Sequence, residues 1–120
     1  MVGNYAAEVY YLRWFERSLP PAGVTVRPCA VEYVGLSLAG PAARELLQSL
    51  VADDLSSAAF PFMSFRRIDV GMVPALVGRV SFTGDLGYEI WVTTDYQRAL
   101  YDLLVAAGRP FGLRHIGGRA

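Results

Sequence analysis

The hydrophobic pattern changes period several times along the chain. Residues 9–15 read Val-Tyr-Tyr-Leu-Arg-Trp-Phe, an aromatic run that fits either a strand or a short helix continuing to Leu19. Pro20-Pro21 ends it, and Ala22-Gly23 continues the turn. From Val24 to Leu38 the pattern is strand-like. Within it Val34, Leu36 and Leu38 alternate with Gly35 and Ser37, which places three aliphatic side chains on one face. Gly35 weakens such a strand unless a backbone or a ligand approaches it closely.

Gly40-Pro41 is a helix-start signal, because proline at the first helical position gives up an amide that would be unpaired anyway. The predicted helix runs from Ala42 to Leu50. Ala43, Leu46, Leu47 and Leu50 form its apolar stripe, with Arg44, Glu45, Gln48 and Ser49 turned to water. Residues 65–70 and 73–82 flank Gly71-Met72 and predict a hairpin, with Pro74 suited to an edge position. After the loop Thr83-Gly-Asp-Leu-Gly87, residues 88–92 predict a further strand. Tyr88, Ile90 and Val92 lie on one of its faces, with Glu89 and Trp91 on the other. Thr94, with Gln97 three residues on, fits a capping box for a helix whose stripe is Leu100, Leu103, Leu104 and Ala107. Gly108 is the expected C' residue, and residues 111–116 the last strand. The fold class is therefore α+β, one domain over residues 1–120, with an antiparallel or mixed sheet and two main helices.

Composition narrows the function. Of 120 residues, 53 % are hydrophobic and only 18 % charged, below the roughly 25 % charged of an ordinary soluble domain. The surplus fits either a generous core or exposed former interfaces. Lys+Arg and Asp+Glu are both 11, and every basic residue is an arginine. No basic stripe stands out, which argues against nucleic acid as a partner. Cys29 and His115 are the single cysteine and the single histidine, too few for an internal disulfide or a zinc site. There is no run of about 20 apolar residues for a membrane span and no secretory leader pattern. A cytoplasmic protein is the expectation.

Residues 79–91, Arg-Val-Ser-Phe-Thr-Gly-Asp-Leu-Gly-Tyr-Glu-Ile-Trp, carry the most chemistry. Gly84 and Gly87 suit a hairpin loop that needs positive φ. Glu89 shares a strand face with Trp91, and a carboxylate beside an aromatic suits a flat heterocycle. The ring can stack, and the carboxylate can accept two N–H groups from an amidine-like edge. A solvated face, or a pairing with Arg79, explains Glu89 equally well. Glu32 is a candidate of the same kind, whereas Asp53-Asp54 suit a helix end. No Gly-rich phosphate loop occurs.

Three segments resemble the glycine-cleavage T-protein (aminomethyltransferase) family. They are Leu38-Ala-Gly-Pro-Ala-Ala-Arg-Glu-Leu-Leu, the stretch from Arg79 to Glu89, and Phe111-Gly-Leu-Arg-His-Ile-Gly-Gly-Arg-Ala. The second is the most specific of the three, and the likeness runs from about Tyr10 to the end. Phe60-Pro-Phe-Met and the surroundings of Trp91 and Tyr101 resemble most the folate-binding C-terminal region of dimethylglycine and sarcosine dehydrogenases.

The resemblance implies that Glu89 binds the pterin of tetrahydrofolate. Phe82 stands where the family usually has a site tyrosine, so stacking survives without the hydroxyl. Asp85 replaces a glutamate, and Arg119 matches a folate-site arginine. The family's catalytic aspartate has no counterpart here, so no catalytic residue is assigned and the chain is expected to be a fragment inactive by itself. Its parent would carry FAD elsewhere and pass a one-carbon unit from an N-methyl amine to tetrahydrofolate. The other readings are part of a glycine-cleavage-type aminomethyltransferase and a non-catalytic folate-binding module. Because the family fold interleaves distant segments, the chain is expected to self-associate through exposed apolar faces, or to need the remainder of the parent polypeptide.

Overall fold

A computed structural model describes residues 5–117. Its chain divides into two compact units, residues 1–32 and 33–120. In the first unit the aromatic run is helical: α1 spans Tyr5–Ser18. Leu12 and Phe15 of the helix, and Leu19 just after it, are half-buried at helical spacing, while Tyr10 and Trp14 are exposed. The Leu19 amide donates to Phe15 O at 2.9 Å, and the two prolines that follow stop the helix. Residues 24–32 form no strand. Glu32 lies in a turn closed by its own amide on Cys29 O at 3.0 Å, and its carboxylate pairs with Arg27. A local ion pair therefore accounts for Glu32. The Cys29 thiol donates to Arg27 O at 3.6 Å.

The second unit is a four-stranded antiparallel sheet with helices on one face. Its strands are β1 (Tyr33–Ala39), β2 (Phe65–Val70), β3 (Val73–Gly78) and β4 (Gly87–Thr93), in the spatial order β1-β4-β3-β2. Helices α2 (Ala43–Gln48) and α3 (Gln97–Gly108) contact β4 and each other. The register aligns Leu36 with Ile90 and Ile90 with Val77, so the inner side chains of three strands meet in one layer. Leu38, Val77, Tyr88, Ile90 and Val92 are buried there against Leu46, Leu47, Leu100 and Leu104 of the helices.

The hairpin between β2 and β3 turns on Gly71-Met72, as the pattern predicts. Gly71 has φ 60° and Met72 is exposed. The Gly71 amide also donates to Leu50 O at 2.7 Å, tying the turn to the end of α2. The connection from α2 to β2 is organised by Gln48. Its Nε2 donates to Asp53 O at 2.8 Å, and its Oε1 accepts from the Leu55 amide at 2.9 Å.

Pro74, expected at a sheet edge, lies instead in β3 between β4 and β2, at the end that β4 does not pair, and three further sequence expectations are corrected. Thr94 does not cap α3: Thr94–Tyr96 form a 3-10 turn ahead of it, and no side chain caps either element. Gly108 lies inside α3 rather than after it; a Cβ there would stand 2.4 Å from Leu113 Cδ2, so it is small because Leu113 packs on it. Residues 111–116 are not a strand. Arg109–Phe111 form a 3-10 turn that Gly112 ends with φ 69°.

Candidate functional site

The face of the sheet opposite α2 and α3 carries the side chains that the core does not use. On β4 these are Glu89 and Trp91, alternating with the buried Tyr88, Ile90 and Val92. Their cross-strand neighbours are Ser37 and Gly78 for Glu89, and Gly35 and Leu76 for Trp91. Farther across, Phe65 lies opposite Gly78 and Arg67 opposite Leu76.

Trp91 lies down on this face. A Cβ at Gly35 would stand 2.8 Å from both Cδ1 and Nε1 of the indole, and a Cβ at Gly78 would stand 3.0 Å from its Cζ3. Phe65 leans onto Gly78 from the other side, where a Cβ would be 2.4 Å from its Cε1. The two rings are 5.7 Å apart and 25° from parallel. Together they form an aromatic shelf from β1 to β2. The close approach that Gly35 implied in the sequence is thus made by a side chain of the protein.

Glu89 is half-buried and makes no side-chain hydrogen bond or ion pair among the described residues. Arg79, the partner that would have made it structural, is occupied elsewhere. Its Nη1 donates to Phe60 O at 2.8 Å, its amide donates to Ser64 O at 2.9 Å, and its carbonyl accepts from the Met63 amide at 3.0 Å. Glu89 therefore offers a free acceptor pair beside a flat aromatic surface.

The other sequence candidates are not gathered around it. Phe82 is fully exposed in the 79–86 loop, with no ring contact. Asp85 is exposed in the same loop, after Gly84 at φ 84°. Ser81 Oγ and Thr83 Oγ1, 3.0 Å apart, are that loop's side-chain link. Arg119 lies outside the described residues. Of the bland candidates, Asp53 pairs with Arg66 at 3.7 Å. Asp54 accepts from the Ser56 amide at 2.7 Å. His115 stacks on Tyr101 at 5.6 Å, with Nε2 3.2 Å from the phenol oxygen.

On the far side of Trp91 from Glu89 a groove of about 910 Å3 opens, lined by Tyr33, Arg67, Leu76, Trp91, Thr93 and Tyr96 among others. Trp91 thus borders both the free carboxylate and the groove. Sequence reasoning paired Glu89 with Trp91 but missed Phe65 and Gly78. Phe65 opens β2 as an outward aromatic, a signal that reads as ordinary until the register sets it across β3 from Trp91. Among the described residues no cluster of His, Cys, Asp or Glu could hold a metal, and no helix is long and apolar enough to cross a membrane.

Comparison with known proteins shows the family of the chain. Residues 1–120 match the family described as GCVT N-terminal domain. Dimethylglycine dehydrogenase, mitochondrial, of Homo sapiens is 33% identical over 119 residues, covering 98% of this chain and 14% of that protein. Aminomethyltransferase of Thermoanaerobacter sp. (strain X514) is 28% identical over 128 residues, covering 98% of this chain and 34% of that protein. In fold the chain is similar to a heterotetrameric sarcosine oxidase from Corynebacterium sp. U-96, solved in complex with pyrrole 2-carboxylate. The TM-score is 0.74 and the identity 21%, over 95% of this chain and 55% of that one. The chain thus spans a small part of the curated relatives it matches.

Proposed function

Because the chain belongs to the GCVT N-terminal domain family, we propose that it is the tetrahydrofolate-binding portion of an enzyme that passes a one-carbon unit from an N-methyl amine to tetrahydrofolate. The likeness to dimethylglycine dehydrogenase supports the choice of amine, and the likeness to aminomethyltransferase supports transfer of a one-carbon-bearing group. Glu89 carries the reading. Its carboxylate is half-buried, without a hydrogen bond or ion pair among the described residues, and next to a flat aromatic surface. The pyrimidine edge of a reduced pterin presents adjacent N–H groups, which suit a carboxylate that accepts two hydrogen bonds at once.

In this reading the chain binds and orients. Glu89 fixes the pterin edge, and the apolar shelf keeps water from one side of the ligand. Phe82 and Asp85, both in the exposed 79–86 loop, and Arg119, outside the described residues, are assigned to the ligand by the family resemblance alone. Removing the amine's hydrogens belongs to FAD in the parent enzyme, held outside this chain, whose sequence has no Gly-rich dinucleotide fingerprint. The general-base carboxylate of the transfer also lies outside it, so the chain alone is inactive. Phe82, without a hydroxyl and fully exposed, favours a second reading as a folate-binding module with no catalytic part.

The test is calorimetric titration of folinic acid into the 120-residue chain and into Glu89→Ala. Binding by the first that is lost in the second is the expected result. Undiminished binding by the variant would remove Glu89 from the site and the reading with it.

A further inference from the structure

The sheet has two open edges, and they differ. β2 carries Arg66, Arg67 and Asp69, and Arg66 donates to Ala59 O at 2.6 Å. Charged side chains on an edge strand discourage further pairing. β1, Tyr-Val-Gly-Leu-Ser-Leu-Ala, has no charge, no proline and no break in its seven-residue register with β4. Among the described residues no strand pairs with its other side. We infer that this edge is where two copies of the chain associate, β1 against β1 about a two-fold axis at Leu36, joining their sheets into one. The inference concerns assembly and is independent of any ligand of Glu89.

The direction of the backbone groups is the first support. The Gly40 amide donates to Leu86 O at 2.8 Å, one step beyond the Ala39–Gly87 pair. Successive residues of an antiparallel strand alternate the side to which their N–H and C=O point. Val34, Leu36 and Leu38 therefore bond β4, and Tyr33, Gly35, Ser37 and Ala39 present their groups to the open edge. Second, this set is self-complementary. An axis at Leu36 sets Gly35 opposite Ser37 of the second copy, Tyr33 opposite its Ala39, and Leu36 opposite its own counterpart. Every outward backbone group of β1 then meets one from the other copy, and no charged residue faces another. The same operation on β2 would bring together two strands that each carry adjacent arginines. Third, the helix side of this edge is unfilled. Leu36 is half-buried, and a cleft of about 290 Å3 opens beside it, lined also by Asp95, Arg98 and Tyr101. Leu36 of the second copy would enter that cleft from the edge, against Leu36 and the ring of Tyr101, which is 40% exposed. The cleft thus offers an apolar centre and a rim with charges of both signs, the anatomy of a protein interface. A strand of unrelated sequence would have to match this pattern of apolar and uncharged positions, whereas a second copy supplies it by symmetry.

The experiment follows the 120-residue chain by light scattering and sedimentation over a concentration series. Wild type should be a dimer that dissociates on dilution. Ser37→Pro removes one outward amide per copy and leaves the bonds to β4 in place. It should weaken association at least roughly tenfold, the scale of two lost hydrogen bonds, with the sheet retained by circular dichroism. A second measurement does not depend on that variant folding. Residues opposite each other in a non-hydrogen-bonded antiparallel pair stand about 4.5 Å apart at Cα, within disulfide range. In a Cys29→Ser background, Leu36→Cys should therefore cross-link two copies on mild oxidation. Val34→Cys, which would face Leu38 of the second copy, should not. A wild type that is monomeric throughout overturns the inference and leaves the edge to a different strand. A dimer that persists undiminished in a folded Ser37→Pro overturns it too, since the copies then meet through another surface. Cross-linking through Val34→Cys and not through Leu36→Cys likewise overturns the two-fold pairing.

Discussion

The indole of Trp91 occupies the space in which Gly35 would otherwise have a side chain, with Cδ1 and Nε1 both 2.8 Å from the position of the missing Cβ. The two residues are cross-strand partners on β1 and β4. Adding a methyl group must move the ring. Here the ring can move, because it lies on the open face and β1 is the last strand of the sheet order. Gly35→Ala is therefore expected to change unfolding free energy by less than about 1 kcal/mol, since the lifted ring is offset by the better strand residue. In a Trp14→Phe background, the single remaining tryptophan should show red-shifted emission. Unshifted emission with a loss of roughly 1–3 kcal/mol, the usual cost of overpacking, would mean the ring is locked in place.

Adjacent residues of the Gly-Tyr-Glu stretch divide between core and site. Tyr88 is completely buried, 6.2 Å from the ring of Phe60, and its hydroxyl accepts from Arg44 Nε at 3.3 Å. Glu89 faces the other way. Tyr88→Ala should cost about 3–5 kcal/mol in urea denaturation, as for other buried aromatics. Tyr88→Phe should cost about 1 kcal/mol for its hydrogen bond. Glu89→Ala should stay within about 0.5 kcal/mol, as expected for a side chain with no hydrogen bond or ion pair among the described residues. A large loss in Glu89→Ala would mean the carboxylate is structural.

Most of the sheet was legible because its strands are half-buried and alternate with period two. Leu36 with Leu38, and Tyr88 with Ile90 and Val92, could be assigned to one face of their own strands from the pattern alone, and the register brings Leu36, Ile90 and Val77 into one layer. The misreadings fall where composition and conformation part. Residues 24–32 contain alternating aliphatics, yet they end in a turn that Arg27 and Glu32 close locally. Residues 111–116 are apolar enough for a strand, but Pro110 and the left-handed Gly112 make a 3-10 turn. The Thr94–Gln97 spacing is that of a capping box, but the intervening residues adopt a tighter turn and Thr94 caps nothing. Of the site, the pairing of Glu89 with Trp91 follows from strand period. The shelf does not, because Phe65 and Gly78 join it only through pairing across three strands.

Arg79 opens the same stretch and anchors it. Its side chain donates to Phe60 O at 2.8 Å, and its backbone holds Met63 and Ser64. Replacing it by alanine leaves a buried carbonyl without its charged donor. The expected loss is about 1.5–3 kcal/mol in urea denaturation. Arg79→Lys should recover only part, since lysine offers a point charge rather than a planar fork. Full stability in Arg79→Ala would show that the 56–64 segment is held by other contacts.

Met63 has φ 65°, a left-handed conformation, and its side chain is 63% exposed. The strain of a non-glycine residue there is about 1–2 kcal/mol, and little packing is lost on removing the side chain. Met63→Gly should raise the urea midpoint, by less than the full strain because glycine also loosens the unfolded chain. A lower midpoint would show that the methionine side chain packs more than its exposure suggests.

Asp54 provides the acid-sensitive contact. Its carboxylate accepts from the Ser56 amide at 2.7 Å and the Ser56 hydroxyl at 3.1 Å. These bonds, backbone first, hold its pKa below the ordinary 3.8, with a smaller contribution from the charge of Arg66. A folded-state pKa below the unfolded one stabilises the fold above pH 3.8, and that stabilisation is lost as pH falls through the lowered value. Wild type should therefore be more stable than Asp54→Ala by a constant amount at neutral pH, and the two should converge as acid protonates the carboxylate. Urea denaturation in a pH series measures the gap. Added salt should screen the Arg66 part and leave the hydrogen-bonded part. A gap that widens on acidification would reverse the sign and show that the folded protein favours the protonated acid.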